Sequence, residues 1–446
     1  MNWSVISIYV FGLIITCMTI LLIINIVPDI RGTEGFSTNN AYKSESDYTK
    51  QLDKLNARYV PTANARLPVS GFLNSAQNGP STPEYMPPVQ QNFVNFFALG
   101  CRYAGYIGPM NDGYFDAEQG IQLAVNAGCR VFVLDIDYIG GVSSDDPMKY
   151  KGKCDLPGQK YFPRICVRDV QGKLIMNPSS DIPQCQSMDS SNLKDVCDKL
   201  NFYAFSTSCQ QSTDPLVIVL YFQRKPPGAY NSPDVLGYYS NVAKCLGGFK
   251  DRLLQNELNG GTYYRQKQEG KLLVNDIGAY TGKVLIFSNA NTIGFRETNN
   301  YSPDQDLDYM VNLRLAYTQT KLGITENEAQ FGILQSPDDF MTVPSDRTDS
   351  VVETTKMRWT ICLSSDPSQP VKEEVYKKIT NTFGVNCVPM MIFDDTNTYL
   401  YGDSTFKKFS FMPKPKAIRY IKPPVVTPAV PSPTTDAKGG MLRSPT

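Results

Sequence analysis

The sequence of 446 residues contains no histidine. Histidine is the side chain whose unperturbed pKa lets it exchange protons near neutral pH. Mechanisms that need a histidine base, a histidine beside a nucleophile or a histidine metal ligand are therefore excluded for this chain. The sequence also lacks an excess of either charge, because 43 Lys and Arg residues balance 43 Asp and Glu residues. This balance gives no support to a nucleic-acid partner.

Charge is also absent from residues 4–27, which read SVISIYVFGLIITCMTILLIINIV. A helix of this length crosses the roughly 30 Å hydrocarbon core of a bilayer. The alternative is a cleaved signal peptide, but the run exceeds the usual apolar core of about 7–15 residues, and no basic residue precedes it. We therefore predict an uncleaved transmembrane helix at 4–27.

Lysine and arginine are missing before this span and present after it, from Arg31 onwards. Because these residues favour the cytoplasmic flank, we predict a single-pass membrane protein with its bulk on the cytosolic side, or on the equivalent face of a virion or host internal membrane. Residues 28–90 are rich in Ser, Asn, Pro and Tyr without a sustained period, which predicts a polar stalk. Residues 423–446 are rich in Pro and Thr, which predicts a disordered tail.

The eleven cysteines lack CxxC spacing, and without histidine they do not predict a zinc site. Five of them are crowded in one stretch: Cys154, Cys166, Cys185, Cys197 and Cys209. This crowded set could form disulfides in an oxidising compartment. The scattered cysteines are interpreted as buried single thiols: Cys101, Cys129, Cys245, Cys362 and Cys387. The pair Asp394 and Asp395 predicts a turn rather than a metal site.

Between the two ends, short apolar runs alternate with helical patterns. The predicted strands are 95–100, 130–137, 214–222, 282–288, 358–365 and 386–393, and the predicted helices are 116–128, 232–258 with a break near Gly247 and Gly248, and 371–384. Continuous apolar runs are typical of strands buried on both faces of a parallel sheet. The alternation predicts an α/β fold at 91–422, most simply a closed (β/α)8 TIM barrel. Residues 140–200 interrupt it and predict an insertion at the C-terminal mouth of the barrel.

Four stretches follow one another along the chain: GIQLAVNAGCRVFVLDIDY at 120–138, DPLVIVLYFQRK at 214–225, YTGKVLIFSNA at 280–290, and 386–423, which begins NCVPMMIF and ends RYIKP. In this order they resemble the catalytic barrel of phosphoinositide-specific phospholipase C. The first stretch resembles the family's Gly-Cys-Arg motif and the following apolar strand, which ends in an acidic residue. The second resembles its third strand, the third resembles its strand that begins with Gly-Lys, and the fourth resembles its closing segment. It implies a (β/α)8 TIM barrel of the PLC-like phosphodiesterase type.

The resemblance also locates the positions that carry that family's chemistry. Arg102 or a neighbour stands where the family has its first catalytic histidine, and Gln223 stands at the second. Val133 replaces the first acid of a calcium-binding pair, whereas Asp135 fits the second. Phe287 stands where a lysine holds the lipid phosphate. The resemblance thus implies that both histidines, one calcium ligand and one phosphate ligand are missing.

These replacements predict an inactive protein. Neither a glutamine nor an arginine, whose pKa exceeds about 12, shuttles protons at neutral pH. Each partner of an acid–base pair typically contributes roughly 10²–10⁴ in rate. We predict a membrane-anchored pseudoenzyme without a cofactor that acts as a binding or scaffold module, with a phospholipid headgroup or a protein as its partner. The uncharged leader and the Asn- and Tyr-rich texture are also similar to proteins of large DNA viruses that carry an internal membrane.

The alternative is an active phosphoric diester hydrolase on phospholipid headgroups. Asp135 and Asp137 share one face of their strand, so either could act as base beside a carboxylate-bound Ca²⁺, with Asp135 as metal ligand. Both could equally be structural acids at a strand end. Arg102, Arg224 and Lys225 are candidates for binding a phosphate, against the interpretation that they are solvated surface charges.

Overall fold

The computed structural model describes residues 45–60, 69–73, 86–108, 114–140, 161–165, 193–254, 266–267, 269–297, 306–316, 331–364, 370–400 and 405–422. The predicted membrane span and the predicted C-terminal tail lie outside these residues, as do most of the predicted stalk and most of the predicted insertion. Within the described ranges, no helix is long and apolar enough to span a bilayer.

The regular elements follow in chain order. The strands are β1 Phe96–Ala98, β2 Gly100–Arg102, β3 Tyr106–Gly108, β4 Tyr114–Phe115, β5 Val131–Gly140, β6 Tyr161–Ile165, β7 Leu216–Phe222, β8 Val284–Ser288, β9 Val311–Ala316, β10 Phe331–Gln335, β11 Thr360–Cys362 and β12 Phe411–Pro413. The α-helices are α1 Glu45–Tyr59, α2 Ala117–Ala127, α3 Leu193–Ala204, α4 Pro233–Cys245, α5 Leu307–Met310, α6 Pro337–Met341, α7 Thr348–Met357 and α8 Glu373–Asn381.

A curled parallel sheet organises the molecule, in the order β2-β5-β7-β8-β9-β10-β11, with β6 added antiparallel to the end of β5. The predicted strands at 130–137, 214–222 and 282–288 are confirmed as β5, β7 and β8, which are consecutive neighbours in this sheet. Their continuous apolar sequences need cover on both faces, and every residue of β8 is buried. The fold is therefore α/β with helices outside the sheet.

Residues 386–390 lie between the two edges of this sheet. Cys387 forms a parallel bridge to β11, and Met390 forms one to β2. The Met390 N–H donates to a β2 carbonyl at 2.9 Å, and the Cys387 carbonyl accepts from a β11 N–H at 2.9 Å. The predicted strand at 386–393 is thus reduced to isolated bridges, because Pro389 has no N–H for a regular ladder. The segment therefore contacts both edges of the curled sheet through these isolated bridges.

The predicted strand at 95–100 is divided into two. β1 pairs antiparallel with β12, whereas β2 joins the curled sheet. The residue between them, Leu99, donates its N–H to the carbonyl of Ser410 at 3.0 Å and is fully buried. The predicted helix at 116–128 is confirmed as α2, with Asp116 as its N-cap and Gly128 in the left-handed region at its C-terminus.

The two faces of the curled sheet pack into separate apolar layers because side chains alternate along each strand. The inner layer includes Val131 and Val219, and the outer layer, against the helices, includes Phe132 and Leu220. At the N-terminal ends of the strands, here called the base, Trp359 stacks on Phe93 with ring centroids 5.8 Å apart. The opposite end, where β2, β5 and β7 end, is the mouth.

Two buried charges at the base are held by backbone groups. The Arg130 guanidinium donates to three backbone carbonyls at 2.5–3.4 Å. The Asp214 carboxylate accepts from the N–H groups of Phe72 and Leu73, both at 2.9 Å, and from the Ser410 hydroxyl at 2.6 Å. Burial lowers the pKa of Arg130 and raises the pKa of Asp214. These bonds attach residues 72–73, Ala204 and Ser410 to the base of the sheet.

Part of the predicted stalk is the helix α1, which packs on the folded domain. The Tyr48 hydroxyl donates to the Asp116 carboxylate at 2.6 Å. Lys54 and Arg58 bind the carboxylate of Asp395 at 2.6 and 2.5 Å. The stalk prediction did not include this packed helix. Its contacts join residues far apart in the sequence, and no local sequence pattern reveals such contacts.

The two ends of the predicted irregular insertion form regular secondary structure. β5 extends to Gly140 and is paired by β6, and the helix α3 begins at Leu193 and packs against α2. Of the crowded cysteines, Cys197 and Cys209 fall within the described ranges and are buried free thiols. The other three lie outside the described residues.

Candidate functional site

Polar side chains from three strands meet at the mouth, on the inner face of the curled sheet. Arg102 ends β2, Asp135 lies on β5, and Gln223 follows β7. Arg102 Nε and Nη2 donate to the two carboxylate oxygens of Asp135 at 3.0 and 2.7 Å, and Gln223 Nε2 donates to the same carboxylate at 2.5 Å. The structure therefore brings the two residues that replace the expected histidines onto one carboxylate.

The guanidinium of Arg102 is enclosed. Its side chain is 8% exposed, and that of Asp135 is fully buried. Arg102 also donates to the Ser364 carbonyl at 3.0 Å and lies over the rings of Tyr103 and Tyr221, at 4.8 and 5.6 Å. Burial is the largest single influence and lowers the pKa of Arg102. The charge and hydrogen bonding of Asp135, together with Tyr103 and Tyr221, outweigh it, so the pKa is raised overall. Arg102 is thus a permanent cation in a bidentate pair.

A second cluster lies two residues further along β5. The carboxylate of Asp137 accepts from Arg224 Nε and from the Tyr138 N–H, both at 2.8 Å. The Arg224 guanidinium lies over the Tyr138 ring at 4.0 Å and donates to the Tyr138 carbonyl at 3.2 Å. Lys225 is exposed and donates to the Gly228 carbonyl at 2.8 Å. Of the three predicted phosphate-binding candidates, two therefore contact aspartates, and Lys225 bonds elsewhere.

A third arginine, Arg164, was not among the residues that the sequence pattern selected. It lies on β6, where its Cα is the antiparallel partner of Asp137. The residue is 1% exposed, and within the described part of the chain its Nε and Nη2 have no hydrogen-bond partner. The available signal was an arginine among apolar residues in YFPRI, inside the stretch interpreted as an irregular insertion.

The residues present do not fit a calcium site. The Asp135 oxygens accept from three N–H donors, whereas calcium needs six to eight oxygen ligands with available lone pairs. Val133 and Phe287 are fully buried below this point in the inner apolar layer, and Phe287 packs edge-on against Trp359 at 5.1 Å. Among the described residues, no three His, Cys, Asp or Glu side chains are grouped so that they could hold a metal ion.

A small cavity opens beside Arg102. Its volume is about 30 Å³, and its lining includes Cys362, Ser364, Met390 and Tyr399. A space of this size holds about two water molecules, whereas sites for small molecules have volumes of roughly 300–1,000 Å³. This cavity therefore does not accommodate a lipid headgroup.

The fold is similar to solved phospholipase structures at low sequence identity. PLC21 of L. pealei aligns over 76% of this chain and 40% of its own, with 13% identity and a TM-score of 0.46. PLC21 of S. officinalis gives 12% identity and 0.44 over the same shares. The calcium-dependent phosphoinositol-specific phospholipase C of Pseudomonas sp. gives 12% and 0.41, over 74% of this chain and 99% of that protein.

The present chain thus spans less than half the length of the two PLC21 chains. No family model matches the sequence, and no curated protein matches it. At these TM-scores and identities no activity follows from the likeness. The predicted viral association stays a prediction.

Proposed function

We propose that this chain is a membrane-anchored, catalytically inactive barrel of the phospholipase C-like type, which acts as a binding module at a membrane. The observation that carries the proposal is the buried ion pair of Arg102 with Asp135, joined by Gln223. Phosphodiester cleavage needs a group that takes a proton from the attacking hydroxyl and one that returns a proton to the leaving group. Neither the permanently charged Arg102 nor the amide of Gln223 exchanges protons at neutral pH.

Asp135 is also unsuited to act as the missing base. Arg102 donates one charge-assisted hydrogen bond to each of the two carboxylate oxygens of Asp135. One oxygen of Asp137 accepts a hydrogen bond from Arg224 Nε at 2.8 Å. Within the described ranges, the carboxylate–metal alternative therefore has no structural observation in its favour, and the assay below also tests it.

The test of inactivity uses the full chain in vesicles that contain phosphatidylinositol, with and without calcium. We expect no release of inositol phosphate, whereas an active phospholipase C added to the same vesicles should release it and prove that the substrate is accessible. The double variant Arg102→His with Gln223→His should stay inactive, because Val133 and Phe287 leave the cation and phosphate contacts missing. Robust turnover that Asp135→Asn abolishes and Gln223→Ala preserves would establish the alternative instead.

The membrane part of the proposal is supported by the uncharged run at 4–27. The intact chain should stay in the membrane fraction after washing with alkaline carbonate, because a spanning helix is not displaced by high pH. Recovery of a soluble protein that begins after residue 28 would show that this segment is a cleaved signal peptide.

A further inference from the structure

Arg164 is a buried cation, and no described residue accepts a hydrogen bond from two of its three guanidinium nitrogens. Its exposure is 1%, and within the described ranges neither Nε nor Nη2 finds an acceptor. Guanidinium N–H groups that leave water without gaining an acceptor destabilise the fold, and the positive charge makes this loss larger. A group of this kind is stabilised when an anion binds to it.

The two donors without an acceptor lie on the same edge of the guanidinium. This edge presents two roughly parallel N–H bonds that match two oxygens of a carboxylate or a phosphate. Arg102 uses the same two atoms, Nε and Nη2, to hold both oxygens of Asp135 at 3.0 and 2.7 Å. Among the described residues, this edge of Arg102 is thus occupied by a carboxylate, whereas the same edge of Arg164 meets no acceptor.

The neighbourhood of Arg164 favours an anion. Arg164 and Asp137 are directly opposite each other in the antiparallel pair, so their side chains lie on the same face of the sheet. Asp137 already accepts from Arg224 at 2.8 Å, and Asp135 already pairs with Arg102. Among the described residues around β5, three guanidinium groups therefore share the mouth with two carboxylates.

We propose that Arg164 anchors an anion site at the mouth, and that its ligand is a phosphate group, either on a lipid headgroup or free in solution. A tetrahedral phosphate has oxygens for the paired donors of Arg164 and further oxygens for a neighbouring cation, whereas a carboxylate has two. The lipid source rests on the proposed function as a membrane module, but the binding of free phosphate does not.

The test uses the full chain in dodecyl maltoside micelles, which contain no phosphate. Thermal unfolding is followed while inorganic phosphate replaces chloride at constant ionic strength. We expect phosphate to raise the unfolding temperature of the wild type, because a ligand of the native state stabilises it. Arg164→Met should weaken the apparent phosphate affinity about ten- to a hundredfold, since it removes charge-assisted hydrogen bonds. Lys244→Met removes an exposed cation of α4, the helix that packs against β6, and should leave the affinity within about twofold.

Without phosphate, Arg164→Met should unfold at the same temperature as the wild type or at a higher one, because it removes a buried charge that lacks an acceptor. This result would also show that the variant folds. Two results would overturn the proposal: a wild type that does not respond to phosphate, or an Arg164→Met variant that responds as the wild type does. An Arg164→Met variant destabilised without phosphate would point to a carboxylate of this chain as the native partner, and would also overturn it.

A second arm separates the two sources of phosphate. Mixed micelles with phosphatidic acid are compared with mixed micelles that contain diacylglycerol, which is the same lipid without the phosphate. Stabilisation by phosphatidic acid that Arg164→Met removes would assign the site to a lipid phosphate, whereas a response to inorganic phosphate alone would assign it to a free ligand. Cleavage of phosphatidylinositol would refute the proposed inactivity and leave these binding results unaffected.

Discussion

Buried charge is held in different ways at the two ends of the curled sheet. At the mouth, Arg102 and Arg224 each contact a carboxylate of β5. At the base, the charges of Arg130 and Asp214 are compensated mostly by backbone carbonyl and N–H groups. Backbone groups that hold a charge are fixed by the fold, whereas a side-chain ion pair can exchange one partner for a ligand. The difference indicates a structural base and a mouth that is suited to binding.

The largest effect is expected at the base, for Trp359→Ala. Trp359 is fully buried between the rings of Phe93 and Phe287. Its removal should lower the free energy of unfolding by about 3–5 kcal/mol, measured by urea titration of the full chain in micelles. Trp359→Phe should cost less, because the indole N–H has no hydrogen-bond partner among the described residues. Equal losses in the two variants would show that packing of an aromatic ring between Phe93 and Phe287 does not set the stability at this position.

A somewhat smaller effect is expected at the mouth, for Asp135→Asn. The variant leaves the buried Arg102 without its counter-charge, and the free energy of unfolding should fall by about 3 kcal/mol. Adding Arg102→Met should recover much of this loss, because the uncompensated charge is then gone. A double-variant cycle in urea measures the coupling. Purely additive losses would show that the pair does not stabilise the mouth.

A buried lysine at the base, Lys414, is expected to oppose folding. Lys414 is fully buried and donates to the Thr355 carbonyl at 3.4 Å. Burial lowers its pKa from 10.5 to about 7. Between these values the unfolded chain binds more protons, so the stability should rise as the pH increases from 7 towards 10.5. Below pH 7 the cost of the buried charge is fully present.

Lys414→Met should therefore stabilise the protein by about 1–3 kcal/mol at pH 7 and flatten the rise above it, measured by urea titrations at pH 7 and pH 9.5. Lys416→Met, an exposed neighbour, should change neither. A Lys414→Met variant that is less stable than the wild type at pH 7 would show that the ammonium group has an acceptor beyond Thr355.

The smallest effect is expected where α1 meets the mouth, for Asp395→Asn. Hydrogen bonds from Lys54 and from Arg58 lower the pKa of Asp395. Since Asp395 is more than half exposed, its ion pairs with Lys54 and Arg58 should contribute less than about 1 kcal/mol to the free energy of unfolding. This contribution should disappear as the pH falls from 3.8, the ordinary pKa of Asp, through the lowered pKa of Asp395. Faster hydrogen exchange of α1 amides at unchanged global stability is the expected result. Unchanged exchange would show that the apolar contacts of α1 suffice.

The sequence predicted the parts of the fold whose signal is local. β5, β7 and β8 were found because a strand buried on both faces reads as a continuous apolar run. The helix α3 was missed although Leu193, Val196 and Leu200 follow a helical spacing, since polar residues surround them. The docking of α1 was missed because its partners are distant in the sequence.

The candidate site was predictable only in part. The alternation of strand residues placed Asp135 and Asp137 on one face, and the resemblance pointed to Arg102 and Gln223. That these last two bind the same carboxylate depends on the spacing of three strands in the sheet. The apolar neighbours of Arg164 in YFPRI were a weak signal, but its missing acceptor is a property of the folded surroundings and not of any sequence pattern.

The segment at 386–390 also affects how the chain folds during synthesis. Asn386 donates to the carbonyls of Val94 and Phe96, which lie 292 and 290 residues earlier. Contacts between such distant positions form slowly, because a long loop must close before they contribute. Until the ribosome has delivered this segment, β2 and β11 are unpaired edges that can associate with other chains. A nascent chain stalled before residue 386 should therefore depend on chaperones, whereas one released after residue 422 should not.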